Sequence, residues 1–203
     1  MRPEILYPLF TDTETLPGVG ARIAKNLEKV AGSKIIDLLW HAPIDVIDRR
    51  NNPALKDILF DQIVTIEVTV GKHDAIPGKS RKPYRVWCHD DTGSMQLIFF
   101  YPRRDYLLQQ LPEGEKRLIS GKMEIYNGAL QMSHPDYILP IDKKDEIPAI
   151  EPIYPLTAGI SGKVMARIIR EAVKKAGHLP EWLDQSLIAR EKWHNGYEAL
   201  LAL

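Results

Sequence analysis

A chain of 203 residues has room for one large or two small domains around a proper buried core. Hydrophobic residues make up 44% and charged residues 27%, a globular composition that excludes a disordered chain. Lys+Arg and Asp+Glu both number 27, so the formal net charge is zero, which excludes a uniformly basic chromatin-type protein and an acidic tail but not a local nucleic-acid face.

Leu16-Pro17-Gly18-Val19-Gly20 opens a helix over 21–30, where Ile23, Leu27 and Val30 recur at helical spacing. Ser33 is the expected cap of a second short helix over 34–40, and Pro43 stops it. Val64, Ile66, Val68 and Val70 then alternate with Thr65, Glu67 and Thr69, a half-buried strand. A loop rich in Gly, Pro and Lys is expected over 71–82. A second strand over 84–89 meets a third over 95–100 through the turn Asp90-Asp91-Thr92-Gly93. Pro102 starts a helix over 103–111, ended by Pro112 and Gly114. A fourth strand over 116–126 turns at Asn127-Gly128 into a fifth over 129–139. The mixed charges of 142–146 followed by Pro148, Pro152 and Pro155 read as a linker. Ser161 caps a helix carrying Val164, Ile168, Ala172 and Val173 on one face, and Gly177 stops it. Weaker helical segments lie at 182–192 and from Tyr197, and the chain ends in mid-pattern, as a piece of a longer protein does.

Three strands, a helix and two strands over 62–141 is the order of a five-stranded OB barrel. The expected fold is therefore mixed α and β, a five-stranded OB-fold β-barrel flanked by N-terminal and C-terminal helices. Its segments are a helical N-terminal region (1–58) with a helix-hairpin-helix-like stretch, the OB domain (59–141), and a linker with a helical connector (142–203).

Residues 71–130 hold ten basic and seven acidic side chains, so the middle third is the basic one. Aromatic residues that stack on bases, interleaved with cations that track phosphates, are the ingredients of a nucleic-acid face. Trp87, Phe99, Phe100, Tyr101 and Tyr106 are the aromatic candidates, beside Arg85, Arg103 and Arg104. Period 2 allows only one of Phe99 and Phe100 to enter the barrel; Phe99 goes with Met95 and Leu97, which leaves Phe100, Tyr101 and Tyr106 for the surface. Lys79, Arg81 and Lys82 lie in a loop where OB folds grip phosphates. Leu16–Gly20 fits either a phosphate-binding hairpin or a plain glycine-rich helix start.

Other motifs read as structure. Asp90-Asp91 is a turn and not a metal site, His41 and His134 are capping or core residues, and Arg49-Arg50 after Asp48 is a local ion-pair cluster. The single Cys88 excludes a disulfide framework and a cysteine zinc site and suits a reducing cytoplasm. No apolar run reaches the roughly 18 residues of a membrane span, and the opening decapeptide is too polar for a signal peptide. The expectation is a soluble cytoplasmic chain. There is no phosphate loop, nucleophile elbow or kinase motif set, since Gly159–Lys163 lacks the spacing. The chain as given is expected not to be an enzyme.

Taken together, the motifs resemble the N-terminal wedge region of the RecG family of ATP-dependent DNA helicases. The resemblance runs through Leu16–Gly20, Asp37-Leu38-Leu39-Trp40-His41-Ala42-Pro43, Asp48-Arg49-Arg50, Asp90–Gly93, Phe99-Phe100, Gly121-Lys122, Gln131-Met132-Ser133-His134-Pro135 and the stretch from Pro152 to Ser161, in the family's order. It implies a branched-DNA-binding wedge of a helicase that rewinds stalled forks and migrates Holliday junctions in recombination and repair. By position, Phe100 and Tyr106 stack on the parted bases. Tyr101 stands where the family usually has a small polar residue, and Pro102-Arg103-Arg104 lengthens the interval, so the second stacking residue is Tyr101 or Tyr106. Arg103, Arg104, Lys122 and the loop with Lys79, Arg81 and Lys82 would meet phosphates. ATP and Mg belong to motor lobes that this chain lacks, and it needs no cofactor of its own. The implied partners are branched DNA and single-strand-binding protein, with the chain a monomer. Two other readings remain: an OB module for single-stranded DNA or RNA, and a protein-interaction module that binds no DNA.

Overall fold

The computed structural model describes residues 4–59, 61–74, 83–177, 181 and 183–202. Its elements are α1 (Ala21–Val30), α2 (Ile35–Leu39), β1 (Asp45–Asp48), β2 (Gln62–Asp74), β3 (Tyr84–His89), β4 (Ser94–Phe99), α3 (Arg104–Gln110), β5 (Lys116–Tyr126), β6 (Ala129–Ser133), β7 (Tyr137–Pro140), β8 (Ile150–Ile153), α4 (Gly162–Ala176), α5 (Gln185–Glu191) and α6 (Gly196–Ala202). Short 3-10 turns occupy Glu4–Phe10, Thr13–Thr15, Leu55–Asp57 and Ile141–Glu146. The chain divides into two units, Met1–Val46 with Pro152–Leu203, and Ile47–Glu151.

The second unit is built on strand alternation. Val64, Ile66, Val68 and Val70 of β2 point to one side, where they meet Val86, Leu97, Ile119 and Met123 in one buried core. The strands run in the order β2-β3-β4-β6-β5, and pairing of β2 with β5 closes the sheet into a five-stranded barrel of the OB type. β4 and β6 pair in parallel and the other neighbours antiparallel, because α3 and β5 lie between β4 and β6 in the chain. Leu107 and Leu111 at the far end of α3 join the barrel core. Gly121 is a close approach: a Cβ there would lie 2.8 Å from the Met132 sulfur.

Several expectations need correction. β2 does not yield to a loop at Gly71 but continues to Asp74 through a register shift between Val70 and His73. A Cβ on Gly71 would stand 3.1 Å from the Trp87 carbonyl, so that glycine serves a close approach within the strand. The fifth strand expected over 129–139 is two strands, β6 and β7, separated at His134-Pro135-Asp136. His134 has φ of +46° and Pro135 has no N–H to offer the ladder; pairing resumes where the Asp136 N–H donates to the Ser120 carbonyl at 2.9 Å. The stretch read as a linker contains a 3-10 turn and β8, which pairs with β1 in a two-stranded sheet.

Arg49 also departs from the local cluster expected of it. Arg50 does pair with Asp48, at 2.5 Å, and its hydrogen bonds pull the Asp48 carboxyl down to about 2. The Arg49 side chain is only 2% exposed and donates to Glu151 at 2.5 and 2.8 Å and to the Ser120 hydroxyl at 3.0 Å. It also lies 3.1 Å from an Asp136 carboxylate oxygen and 4.9 Å from the centre of the Tyr137 ring.

The first unit buries Leu27 of α1, Ile35 and Leu38 of α2 and Met165, Ile168 and Ala172 of α4 in a second core. α4 has the expected cap, with the Ser161 hydroxyl accepting the Val164 N–H at 3.4 Å, and Gly177 ends it at φ of +56°. The N-cap of α2 is Lys34 and not Ser33; its N–H donates to the Asp37 carboxylate at 2.9 Å. The expected helix over 182–192 is the shorter α5, capped by Asp184, which accepts the Ser186 and Leu187 N–H groups; Trp182 lies outside the described residues. Only 3-10 turns precede α1 among the described residues, and the Arg167 guanidinium packs 3.0 Å from where a Cβ of Gly18 would be. Among the described residues no helix is long and apolar enough to cross a membrane.

Candidate nucleic-acid interface

Alternation along β4 turns Met95, Leu97 and Phe99 into the core and leaves Phe100, just past the strand, 49% exposed. His134, just past the parallel neighbour β6, meets Phe100 in two ways. Its Nε2 accepts the Phe100 N–H at 3.1 Å, and its ring stacks on the Phe100 ring with centroids 5.6 Å apart and planes at 30°. The same imidazole meets Phe99 edge to face at 6.0 Å, and the His134 N–H donates to the Ile98 carbonyl at 2.9 Å. An Nε2 that accepts carries no proton, so the imidazole is neutral in this arrangement. Phe100 is thereby held on one side and half-open to solvent.

Tyr101 follows at φ of +52° and is 100% exposed. A left-handed backbone costs a residue with a Cβ about 1–2 kcal/mol, and no burial of this side chain offsets it. The turn redirects the chain into α3, whose opening residues Arg103 and Arg104 are exposed and whose first turn carries Tyr106, 56% exposed. The other end of α3 is anchored. Arg117 Nε donates to the Gln110 carbonyl at 2.8 Å, and His73 Nε2 lies 2.7 Å from the Leu111 carbonyl. A carbonyl can only accept, so His73 Nε2 donates to it, and the Nδ1 of the same ring lies 2.8 Å from the Tyr84 hydroxyl. Burial pushes the Tyr84 phenol up, partly offset by the charge and hydrogen bond of Arg104, which places that guanidinium beside the β3 tyrosine.

The other expected contacts fall differently. Arg85 is exposed on β3, in register with Ile98 and one pair away from the Tyr84–Phe99 pair that leads into the corner. Lys122 is exposed but engaged, 2.6 Å from Asp61, and that hydrogen bond followed by the charge raises its ammonium pKa. Lys79, Arg81 and Lys82 lie outside the described residues. Phe100, Tyr101, Arg103, Arg104 and Tyr106 thus form one exposed run, and His134 is the residue that sequence reasoning missed. The sequence reads it as a capping or core residue inside a strand over 129–139, although Pro135 beside it is a strand breaker; nothing in the sequence signalled the aromatic partner across the sheet.

Among the described residues no group of three or more His, Cys, Asp or Glu side chains is arranged to hold a metal. Asp90 is used by its turn, where its carboxylate accepts the N–H groups of Leu55, Thr92 and Gly93 at 2.6–2.8 Å and the Thr92 hydroxyl at 2.7 Å. Burial pushes the Cys88 thiol up to about 12, against the weaker effect of its hydrogen bond with Gly71, so it stays protonated and unreactive.

Comparison with known proteins gives the family of the whole chain. The family model of the RecG wedge domain matches residues 14–176. The chain belongs to the RecG wedge domain family. This wedge domain is 25% identical over 194 residues to the ATP-dependent DNA helicase RecG of Bacillus subtilis (strain 168), a match covering 95% of this chain and 28% of that protein. It is 30% identical over 192 residues to RecG of Thermotoga maritima, covering 91% of this chain and 24% of that protein. Among solved structures it is similar to RecG bound to a three-way DNA junction, with a TM-score of 0.81 and 27% identity over 96% of this chain and 27% of that one. The wedge domain spans about a quarter of the length of the curated relatives it matches.

Proposed function

We propose that this RecG wedge domain holds the branch point of forked DNA, with Phe100 stacking on a base at the parting of the strands and Tyr101 or Tyr106 on a second. The observation that carries the reading is the Phe100 ring, held by His134 yet half-open at the exposed end of a barrel strand. Similarity to a RecG bound to a three-way DNA junction supports it. Each stacked base contributes about 1–3 kcal/mol irrespective of its identity. Arg103, Arg104 and Arg85 supply phosphate contacts, which give affinity without sequence preference. Lys122 joins them only by exchanging Asp61 for a phosphate. The chain serves a helicase whose ATP and Mg are used by motor lobes outside it, acting as a monomer on stalled forks and Holliday junctions in recombination and repair, with single-strand-binding protein as a further partner.

The test is a fluorescence anisotropy titration of the chain against fork, linear duplex and single-stranded DNA at two salt concentrations. The expected result is a fork preference, with Kd on the order of micromolar and log K falling by about 0.9 per phosphate contact for each tenfold rise in salt. Phe100→Ala lowers the fork preference more than the overall affinity. Equal losses on forked and linear DNA reject the wedge role, and a preference for free single strands favours a single-strand module instead.

A further inference from the structure

The barrel carries a second aromatic feature away from the Phe100 corner. Trp87 stands on the outer side of β3, 38% exposed, in register with Gln96 of β4. Gln96 is in turn in register with Gln131 of β6. Beside the indole lies a groove of about 440 Å³ lined by Lys56, Trp87, Gly93, Ser94, Gln96 and Gly128 among others. Its rims are the Asp90–Gly93 and Asn127-Gly128 turns, and a Cβ on Gly128 would meet nothing within 4 Å, so that rim is open. The site is preformed. Trp87 Nε1 donates to Asp74 at 3.3 Å, which fixes the ring, and the turn carrying Lys56 is tied to the hairpin by Leu55 N–H to Asp90 at 2.8 Å and Lys56 N–H to the Thr92 hydroxyl at 3.2 Å. Among the described residues the Lys56 ammonium has no acidic partner.

We propose that this groove binds a nucleotide of an unpaired DNA strand, with its base on the Trp87 indole, its polar edge at Gln96 and its phosphate at Lys56. A flat indole beside a carboxamide and a free cation matches a base with its phosphate better than it matches an apolar peptide side chain. By alternation the groove also lies on the same face of β4 as the proposed branch-point site. β4 begins at the groove with Ser94 and ends at Phe99, one residue before Phe100, and Arg85 lies on β3 between the two, opposite Ile98. That track is roughly 20 Å long, room for about four nucleotides, the small end of what one OB fold holds. The inference rests on the wedge reading only for where the strand comes from: a strand parted at Phe100 passes over Arg85 to Trp87.

The test compares two forks that differ only in an unpaired oligothymidine arm, together with the free oligothymidine, against the full chain. The wild type is expected to bind the armed fork about tenfold tighter than the armless one, the yield of one stacked base. Trp87→Ala and, independently, Lys56→Glu bring that ratio toward one, while Trp87→Phe, which keeps a stacking ring, retains most of it. Phe100→Ala lowers both forks together and keeps the ratio. A ratio unchanged by Trp87→Ala and Lys56→Glu overturns the proposal. If the armless fork shows no preference over linear duplex, the wedge reading fails separately, and loss of oligothymidine binding in Trp87→Ala still supports the groove.

Discussion

Phe100 owes its orientation to His134, and the two residues are 34 positions apart in the chain. An exposed phenylalanine on a strand end has rotamers to lose when a base stacks on it, and that loss weakens binding. The imidazole removes much of the freedom beforehand through its stack and through the Phe100 N–H that it accepts. An aromatic pair of this kind contributes about 0.5–1.5 kcal/mol. His134→Ala is therefore expected to lower fork affinity about threefold while leaving linear duplex binding nearly unchanged, measured by the same anisotropy titration; an unchanged fork preference contradicts the positioning role. The sides taken by Phe99 and Phe100 were legible, because alternation along β4 depends only on neighbours in sequence. The part played by His134 was not, because it depends on the parallel pairing of β4 with β6, which no local pattern encodes.

At the level of elements, turns and ion pairs decide where strands begin and stop. Asp90 closes the β3–β4 hairpin and also anchors Leu55. Burial raises its carboxyl pKa, but the hydrogen bonds from Leu55, Thr92 and Gly93 prevail and lower it. A carboxyl lowered in the folded state contributes stability that is present above its unfolded pKa, about 3.9, and lost as pH falls through the folded value. Unfolding by denaturant is expected to become easier as pH falls below about 4, and Asp90→Asn to flatten that dependence; an unflattened profile assigns the acid sensitivity elsewhere. Arg49 joins the start of the second unit to its end through Glu151. Arg49→Ala leaves the part-buried Glu151 carboxylate without its cation and is expected to cost about 3 kcal/mol of unfolding free energy, measured by denaturant titration, whereas replacing Arg49 and Glu151 together with apolar residues recovers most of it. The hairpins were legible from Asp90–Gly93 and Asn127-Gly128, whose turn chemistry is local. β1 and β8 were not, since Pro152 within β8 reads as loop punctuation until a partner strand is known.

For the whole molecule, a formal charge of zero means that no global field draws the chain to DNA, so the proposed recognition rests on the corner of the barrel and its few arginines. The barrel was legible because its order of strands and helix is compact in sequence. The helical unit was less so, because its core joins Leu27 and Leu38 to Ile168 and Ala172 from the other end of the chain. Periodicity marks an apolar face without naming what covers it. The central claim, that Phe100 stacks on a base at the branch point, is tested most directly by a fork carrying the fluorescent base 2-aminopurine at the junction. The account predicts a change in 2-aminopurine emission on binding that is absent when the probe sits within the duplex arm and is lost in Phe100→Ala at saturating protein. An emission change of the same size in Phe100→Ala, or the same response from the probe in the arm, would contradict it.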